Sequence, residues 1–527
     1  MRRRLVPALT TLLAALAAAA PAGASTTQES MFQDDPLLVY GSPEQQLKTL
    51  DRAAQLGVDR LRVSVFWDIV APDPESRTKP AGFDAKNPEA YPAGAWDRYD
   101  RLLRAARQRG IAVNFNVTAP GPLWAMGDPG DRPDLADVWT PSPKEFGEFV
   151  VAVGRRYSGE VPGIPRVDYW SIWNEPNQGA WLAPQWSGTG TGAIELSPKV
   201  YRPLVDAAWA ALSLTGHGKD TILVGETAPK GSTDRGPSRP LSPRRFLLRL
   251  YCLDDNGQFL RAEAATALDC PVEDQAARMR AEHPGLFGLT GWAHHPYEVS
   301  FAPTRQPTLP ESFTTANLRQ LSSLLRRVFL RMGAPVPAGG GSSGFPLYLT
   351  EYGYQTDPPD PLGVSNAEQA AYLNQAEWLT SQMTGVKALA QFLMVDDKPG
   401  EGASPTERFG ATFQSGLITL EGRKKPGYAA YRLPIHVRRT RVRKGRKLPV
   451  WGLVRPGKNG QRQTVRIEVR AGSKGAWKRV RTVKTEARRG YFAAGVTVRR
   501  SGAVRYAWTD PATKRAAHSR TVAFRVR

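Results

Sequence analysis

The sequence predicts an α/β protein with two folded parts: a closed (β/α)8 TIM barrel over residues 35–434, then a small all-β, immunoglobulin-like sandwich over residues 435–527. Two observations predict the barrel. Short runs of apolar and β-branched residues recur along the first part, and a longer stretch with helical periodicity follows each run. A third observation predicts the sandwich: near residue 435 the helical stretches stop, and short alternating strands separated by turn residues begin.

Eight runs of the first part have the length and composition of barrel strands. They are residues 37–40, 60–67, 111–117, 167–173, 221–226, 289–293, 347–351 and 388–395. Eight strand-then-helix units close into a parallel barrel, and the active site of such a barrel lies at the C-terminal ends of its strands. The residues that end these runs are therefore the candidates for chemistry.

The last part of the chain carries the positive charge. Residues 435–527 contain 27 of the 71 Lys and Arg but three of the 49 Asp and Glu, a net charge of +24 against −2 for the preceding residues. Apolar and polar residues alternate there, as at Val465, Ile467 and Val469, so arginines occupy many outward positions. Two interpretations stay open: a solvated face, or a surface that binds an anionic cell-wall polymer or acidic polysaccharide. The absence of a nucleic-acid motif disfavours a nucleic acid partner.

The N-terminal residues have the pattern of a secretory signal peptide over residues 1–24. A positively charged start (2–4), an apolar stretch (5–20) and small residues (22–24) follow one another. No later stretch approaches the ~18 consecutive apolar residues of a transmembrane helix. We therefore expect a secreted protein, which the anionic-polymer interpretation of the basic domain would place at the cell wall. In that oxidising environment Cys252 and Cys270 are expected to form one disulfide.

Acidic residues follow two of the runs directly. The fourth run ends in Trp173-Asn174-Glu175-Pro176, and the seventh in Thr350-Glu351-Tyr352. A carboxylate straight after an apolar barrel strand either faces the mouth of the barrel or is buried at a cost in free energy. Two such carboxylates form the pair that cleavage of a glycosidic bond requires.

These motifs resemble the signature of clan A of the glycoside hydrolases, a group of retaining TIM-barrel glycosidases that includes cellulases and β-xylosidases. The resemblance rests on Asn174-Glu175-Pro176 after the fourth run and Glu351 after the seventh. Arg62 on the second run resembles the clan's second-strand arginine, and His295-Pro296-Tyr297 after the sixth resembles its His-x-Tyr element. The resemblance covers roughly residues 35–434.

The resemblance implies a role for each of these residues. Glu175 is the acid/base and starts the reaction protonated, and Glu351 is the nucleophile. Charge and hydrogen bonds from Arg62 and Tyr297 hold Glu351 ionised and aimed. The implied substrate-binding residues are Asn174, Arg62, His295 and Tyr297, of which Asn174 contacts the sugar 2-hydroxyl.

Other residues near strand ends complete the expected site. Trp124 and Trp181 are the expected stacking platforms, because sugar rings pack on aromatic faces. The eighth run lacks the tryptophan that many clan members carry there, and this departure bears on the substrate class. His294 is expected to be a polar residue without a role in the reaction. Glu226, which ends the fifth run, is left open between substrate contact and structural role.

Together these observations predict a secreted retaining glycoside hydrolase that cleaves β-linked glycosides or polysaccharides without a cofactor. The chain has six histidines and none of the spacings typical of metal sites, so no metal is expected. Two other hypotheses stay open. One is an inactive carbohydrate-binding barrel attached to the wall through the basic domain, which the two glutamates disfavour. The other is a wall-attached structural protein, which the barrel and its polar mouth disfavour.

Overall fold

The chain forms the expected barrel. A computed structural model describes residues 28–341, 344–457 and 460–527, so the predicted signal peptide at residues 1–24 lies outside the described residues. The strands of the first part are β1 (Glu29–Gln33), β2 (Arg60–Phe66), β3 (Ala112–Thr118), β4 (Tyr169–Ile172), β5 (Thr221–Thr227), β6 (Gly291–His294), β7 (Leu347–Leu349), β8 (Thr356–Asp357), β9 (Val364–Ser365) and β10 (Val386–Phe392). Strands β1 to β7 and β10 close into the barrel, which β1 completes by pairing in parallel with both β2 and β10.

Helices surround the barrel, and side-chain caps fix the starts of several of them. They are α1 (Asp35–Leu38), α2 (Pro43–Leu56), α3 (Trp67–Val70), α4 (Asp97–Gln108), α5 (Pro143–Arg156), α6 (Ser197–Leu214), α7 (Pro243–Leu250), α8 (Ala262–Ala267), α9 (Gln275–Glu282), α10 (Pro284–Phe287), α11 (Leu318–Arg331), α12 (Asn366–Ser381), α13 (Pro405–Gly410) and α14 (Pro426–Arg432). Ser42 and Ser365 cap α2 and α12 through reciprocal capping boxes. The apolar faces of these helices pack on the strands and form the main hydrophobic core.

The expected first strand at residues 37–40 is wrong. Residues Asp35–Leu38 form helix α1, and Glu29–Gln33 is the first barrel strand. The Asp34 carboxylate accepts a hydrogen bond from the Leu37 amide, and Pro36 stands in the first helical turn, where its missing N–H costs nothing. A short apolar run does not by itself distinguish strand from helix, and here the preceding cap decides.

The last part of the chain is a β-sandwich, as expected. Its strands are β11 (Ile435–Val437), β12 (Arg441–Val442), β13 (Lys447–Leu453), β14 (Thr464–Ala471), β15 (Lys478–Lys484), β16 (Tyr491–Thr497), β17 (Gly502–Thr509), β18 (Ala516–His518) and β19 (Val522–Val526). One sheet has the order β11-β13-β16, and the other has the order β12-β19-β17-β14-β15, with β18 paired to β17. Val450 and Phe492 of the first sheet and Ile467 and Tyr506 of the second share one core.

The sandwich packs on the barrel through buried polar contacts. The Arg455 guanidinium donates to Glu377 Oε2 at 2.8 Å, and both side chains are at least nine-tenths buried. The Tyr491 hydroxyl donates to the other oxygen of Glu377 at 3.3 Å. The Trp378 ring stacks on His436, with 4.6 Å between ring centroids. These contacts link α12 of the barrel to the sheet formed by β11, β13 and β16.

Cys252 and Cys270 form the expected disulfide. Within the residues that the structure describes, we find no helix long and apolar enough to span a membrane.

Candidate active site

A cavity of about 460 Å³ opens at the C-terminal ends of the barrel strands. Glu175, which follows β4, and Glu351, which follows β7, both line it. Its other lining residues are Gln33, Asp35, Pro36, Tyr40, Ser64, Phe66, Asn174, Gln178, Trp181, Ala228, Pro229, Tyr297, Val299, Gly353, Gln355, Phe392, Asp397, Phe413 and Ser415. The cavity therefore combines a polar floor with apolar and aromatic walls.

The two expected catalytic carboxylates face each other closely. One carboxylate oxygen of Glu175 and one of Glu351 lie within 4.8 Å of each other. Glu175 adopts a left-handed backbone with φ of 35°, which costs on the order of 1–3 kcal/mol for a residue with a side chain. Its amide donates to the Glu226 carbonyl at 3.0 Å, so a neighbouring strand end holds Glu175 in this conformation.

Arg62 lies at the centre of the floor and is fully buried. One of its terminal nitrogens donates to Glu351 Oε1 at 2.7 Å and to Gln33 Oε1 at 2.5 Å. The other donates to Asn174 Oδ1 at 2.7 Å and to Glu226 Oε2 at 3.0 Å. Because Arg62 occupies the oxygen of the Asn174 amide, the amide nitrogen remains available for a ligand in the cavity.

His295 and Tyr297 follow β6 and contact the two glutamates. His295 is fully buried, and its Nδ1 lies 2.8 Å from Glu175 Oε1 and 3.6 Å from Glu351 Oε2. Its Nε2 lies 2.8 Å from Glu226 Oε2. The Tyr297 hydroxyl donates to Glu351 Oε2 at 3.0 Å, so both oxygens of this carboxylate are held by protein donors.

Glu226 is the residue that sequence reasoning left undecided, and it belongs to this network. It is fully buried at the end of β5, and Thr350 donates to its Oε2 at 2.7 Å, in addition to the contacts with Arg62 and His295. Burial alone would raise its pKa, but the charge of Arg62 and the hydrogen bond with His295 outweigh burial and lower that pKa to about 2. Glu226 is therefore a permanent carboxylate beneath the cavity.

The neighbouring charges also set the protonation of His295 and Glu351. Burial opposes a charge on His295, yet Glu351, together with Glu175 and Glu226, raises the pKa of His295 to about 9. Burial raises the pKa of Glu351, and the charges of His295 and Arg62 act against that rise. At neutral pH the site thus contains an imidazolium among carboxylates.

His294 is separate from this network, as expected. It is fully buried, its Nδ1 lies 2.8 Å from Thr227 Oγ1, and its Nε2 lies 2.8 Å from the Phe313 carbonyl. Burial lowers its pKa to about 3, so His294 is neutral and satisfied.

The two expected stacking tryptophans lie in different places. Trp181 lines the cavity and stacks on Phe66, which in turn packs against Tyr40, so one wall is a continuous aromatic surface. Trp124 is not among the residues lining this cavity. Its indole nitrogen donates to the Pro72 carbonyl and its ring packs edge-on against Trp67, and its role as a platform stays a prediction.

Two phenylalanines stand near the end of the eighth barrel strand, where the sequence lacks the tryptophan of the resembled clan. Phe392 at the end of β10 lines the cavity, and Phe413 packs edge-on against it at 5.1 Å. They form an aromatic surface of the cavity. The cavity therefore has an aromatic surface near the end of the eighth barrel strand, formed by phenylalanine rings that are smaller than the tryptophan of the resembled clan.

The spacing of the site also raises the question of a metal ion. One ligand atom each from Glu175, His295 and Glu351 lies within 4.8 Å of the others. Both ring nitrogens of His295 already face carboxylates at 2.8 Å, and Arg62 places a positive charge on Glu351. This donor set fits a proton-sharing network better than a metal site, and the expected lack of a metal stays a prediction.

No protein-family model matches the chain, and no curated protein sequence is similar to it. Similar solved structures include a glucosidase from Croceicoccus marinus, with 14% identity over 96% of this chain and 94% of that one and a TM-score of 0.47. A family 1 β-glucosidase from Thermotoga maritima has 13% identity over 73% of this chain and 84% of that one, with a TM-score of 0.42. A β-glucuronidase from Bacteroides uniformis has 11% identity and a TM-score of 0.42; it covers 96% of this chain, which spans 46% of that protein. At such low identities these likenesses do not extend to activity.

Proposed function

We propose that the chain is a retaining glycoside hydrolase that cleaves β-linked glycosides by double displacement. One observation carries the proposal: oxygens of Glu175 and Glu351 lie within 4.8 Å of each other across the cavity. Retaining pairs are about 5–5.5 Å apart, whereas inverting pairs stand roughly 6.5–9.5 Å apart to leave room for a water molecule. A pair of oxygens this close leaves little room for the water molecule of an inverting enzyme, which favours direct attack by one carboxylate.

In the first step Glu351 attacks the anomeric carbon while protonated Glu175 gives its proton to the leaving oxygen. The bond from carbon to the glycosidic oxygen breaks, and a bond from carbon to Glu351 forms. Arg62 and Tyr297 each hold one oxygen of Glu351, which orients the nucleophile, and the charge of Arg62 favours its ionised form. The free amide nitrogen of Asn174 is suited to the sugar 2-hydroxyl, a contact that strengthens in the transition state.

In the second step water hydrolyses the glycosyl-enzyme. Glu175 now accepts a proton from the water, whose oxygen bonds to the anomeric carbon as the bond to Glu351 breaks. Two inversions at one carbon leave the product with the configuration of the substrate. Glu175 ends protonated and Glu351 ends ionised, which restores the starting state.

A panel of 4-nitrophenyl β-glycosides tests the proposal, with the anomer formed first read by proton NMR. We expect hydrolysis of at least one member, and the β-anomer as its first product. The Glu351→Gln variant, which keeps the shape of the side chain, is the matched control and should be inactive. A first product in the α configuration would overturn the retaining mechanism. Binding of oligosaccharides without any hydrolysis would favour the inactive sugar-binding barrel.

Secretion is part of the proposal. It is supported by the signal-like pattern of residues 1–24 and by the disulfide between Cys252 and Cys270, which forms readily outside the cytoplasm. We expect the mature N-terminus near Ser25 when the full chain is expressed in its host. N-terminal sequencing of protein recovered from the medium and from the wall fraction measures this directly. Recovery of the intact chain from the cytoplasm alone would contradict secretion.

A basic face of the sandwich supports the proposed attachment to an anionic wall polymer or acidic polysaccharide. Arg470 on β14 and Arg505 on β17 both lie over the Trp477 ring, 5.0 and 4.2 Å from its centroid. Together with the ion pair from Arg505 Nε to Glu468 Oε2 at 2.8 Å, these cation–π contacts hold the guanidinium groups in place before a ligand arrives. The neighbouring edge strand β15 presents exposed Arg479 and Lys484. A charged edge strand also prevents aggregation, so the test must separate a binding face from a protective one.

Retention of the full chain on immobilised polygalacturonate tells whether the basic face binds a polyanion or only protects the edge strand. The Arg470→Gln/Arg505→Gln variant should elute at clearly lower salt than the wild type, because it loses the ordered pair of cations. The control variant Lys514→Gln/Arg515→Gln removes the same charge from the turn between β17 and β18. Equal losses in both variants would show a general charge effect, and unchanged retention in both would exclude the face. Stronger retention on double-stranded DNA would favour a nucleic acid.

A further inference from the structure

The cavity of the candidate active site has two unlike sides. One side is lined by residues that follow β4, β5 and β6. Leaving aside the groups that contact the catalytic carboxylates, these residues are Trp181 after β4, Ala228 and Pro229 after β5, and Val299 after β6. Gln178 adds a polar side chain after β4. Trp181, Ala228, Pro229 and Val299 form what we call the apolar side of the cavity.

The other side of the cavity offers hydrogen-bonding groups and is called the polar side. Asp35 lies after β1, and Asp397 and Ser415 belong to the connection after β10. Asp397 Oδ2 accepts from the Phe413 amide at 3.0 Å, and a carboxylate has room for further donors. The Ser415 hydroxyl is buried and has no hydrogen-bond partner in the described part of the chain. Polar atoms of this kind beside the Phe392 ring suit the hydroxyl groups and the apolar face of a sugar.

Double displacement decides which side the leaving group occupies. Glu175 follows β4, and its proton reaches the leaving oxygen only within hydrogen-bond distance. Glu351 follows β7 and attacks the anomeric carbon from the opposite face. The leaving group therefore lies towards the ends of β4 to β6, against the apolar side. The sugar that forms the covalent intermediate lies against the polar side.

The apolar side continues at the rim of the cavity. Phe301, two residues beyond Val299, is 42% exposed although the Arg305 guanidinium lies over its ring at 3.4 Å. The Ser300 hydroxyl donates to the Leu362 carbonyl at 2.9 Å, and Leu362 is 53% exposed. This hydrogen bond joins the two loops that carry the exposed apolar side chains. Such side chains next to a cavity mark a surface for an apolar ligand.

We propose that the apolar side binds an apolar aglycone, so that the chain cleaves β-glycosides of alkyl or aryl alcohols in preference to oligosaccharides. A second sugar there would place hydroxyl groups against Ala228, Pro229 and Val299, where they lose hydrogen bonds to water. Gln178 can replace few of these bonds. An alkyl chain or aromatic ring loses none and can pack on Trp181. The inference rests on the proposed glycosidase function, which fixes the side that the leaving group occupies.

A series of alkyl glycosides tests the proposal. The methyl, butyl and hexyl β-glycosides of the sugar found with the 4-nitrophenyl panel have leaving groups of similar acidity, so their rates report contact with the alkyl chain. We expect kcat/KM to rise from methyl to hexyl, by up to about fourfold for each buried methylene. We also expect a higher kcat/KM for the hexyl glycoside than for a β-linked disaccharide of that sugar. A flat series, or a disaccharide cleaved as well as the hexyl glycoside, would overturn the proposal while hydrolysis itself stands.

A pair of valine variants locates the contact. Val299→Asn places a polar group on the apolar side, and its ratio of kcat/KM for the hexyl over the methyl glycoside should fall about fourfold, as for the loss of one methylene contact. The matched control Val272→Asn makes the same exchange at a valine that is not among the residues lining the cavity and is 59% exposed. Its ratio should equal that of the wild type. A fall of the same size in both variants, or in neither, would contradict contact between the alkyl chain and the apolar side.

Binding without turnover separates this proposal from the proposed function. Methyl and hexyl β-thioglycosides of the sugars in the 4-nitrophenyl panel resist hydrolysis and are titrated into the wild-type protein in a calorimeter. We expect the hexyl compound of at least one sugar to bind more than tenfold more tightly than its methyl counterpart, with a negative heat-capacity change. Equal affinities for all sugars would overturn the proposal even if glycosides are hydrolysed. Tighter hexyl binding by a protein that cleaves no glycoside would refute the proposed function and leave the apolar binding site standing.

Discussion

At the scale of single residues, replacing Glu175 and replacing Glu351 with alanine are expected to affect turnover in different ways. Glu351→Ala should lose turnover of every substrate, since no other group is placed to form the covalent intermediate. Glu175→Ala should still react with 2,4-dinitrophenyl glycosides, whose leaving group needs no proton, and then stall as glycosyl-enzyme. Burst kinetics with this substrate measure the difference.

Azide provides the control for that experiment. In Glu175→Ala it replaces the water that the missing base would activate, so turnover should recover. Attack on the glycosyl-enzyme gives a β-glycosyl azide, the configuration of the substrate. An α-glycosyl azide, or near-native turnover by Glu351→Ala, would show that the roles are assigned wrongly.

The raised pKa of His295 predicts how the stability of the protein depends on pH. A histidine with a pKa of about 9 when folded and about 6.5 when unfolded binds its proton more tightly in the folded state. Its stabilising contribution is therefore complete below about pH 6.5 and is lost as the pH rises through 9. Urea unfolding should show a decline across this window, at most about 1.4 kcal/mol per pH unit from one group. The decline should be smaller in His295→Gln; an equal slope in both proteins would contradict the buried imidazolium.

Which site residues were predictable depends on where their partners lie. Glu175, Glu351 and Arg62 stand in motifs with a fixed strand order, and the structure brings them together as that order implies. Glu226 carries no such motif. Its partners come from positions such as 62 and 350, more than 100 residues away, and only barrel closure makes them neighbours. When an acidic residue at the end of a strand is considered alone, its side chain could lie in the mouth of the barrel, in its floor or against the helical layer.

At the scale of elements, the disulfide ties down the long connection after β5. Cys252 and Cys270 are 18 residues apart in sequence, between the end of α7 and the start of α9. Closing a loop of this size is worth about 3 kcal/mol through the entropy of the unfolded chain. We expect Cys252→Ser/Cys270→Ser to lose about that much free energy of unfolding, measured in urea. Protein denatured without reductant should show no free thiol with Ellman's reagent, and two titratable thiols would contradict the prediction.

The strands show what a sequence pattern determines in this fold. Seven of the eight expected runs overlap barrel strands, because buried parallel strands are continuous apolar runs separated by helical periodicity. The first was misplaced by several residues, since Glu29, Ser30 and Gln33 make the true strand largely polar, while the run at 37–40 is apolar. The Asp34 cap makes the apolar run helical, and β1 is the strand that pairs with both β2 and β10 to close the barrel. Both features depend on residues outside the run.

At the scale of the whole molecule, basic and acidic groups lie in different places: the basic ones on the sandwich and the acidic ones at the cavity of the barrel. The sandwich carries a net charge of +24, more than the +22 of the whole chain, whereas the cavity is lined by the acidic side chains of Asp35, Glu175, Glu351 and Asp397. A polyanion attracted to the sandwich would be repelled from this cavity. The basic domain is therefore better suited to localising the protein than to feeding an acidic substrate into the barrel.

The contact between the two parts predicts that they unfold together. Arg455 of the sandwich and Glu377 of the barrel form an ion pair whose side chains are 4% and 7% exposed. Removing one partner of a buried pair leaves the other charge uncompensated, which typically costs 3–5 kcal/mol. We expect one calorimetric transition for the wild type and two for Arg455→Met, as the sandwich is uncoupled from α12.

A double-variant cycle shows whether the ion pair itself is responsible. Glu377→Gln keeps a group that can accept from the Tyr491 hydroxyl but removes the charge. In Arg455→Met/Glu377→Gln no charge remains unpaired, so part of the loss seen in Arg455→Met should be recovered. The exposed control Arg438→Met should leave the single transition unchanged. Two transitions in the wild type would mean that the sandwich unfolds independently of the barrel, and additive losses in the cycle would mean that this ion pair does not couple them. Recovery would mean that the ion pair couples the basic domain to the barrel from which the catalytic carboxylates project.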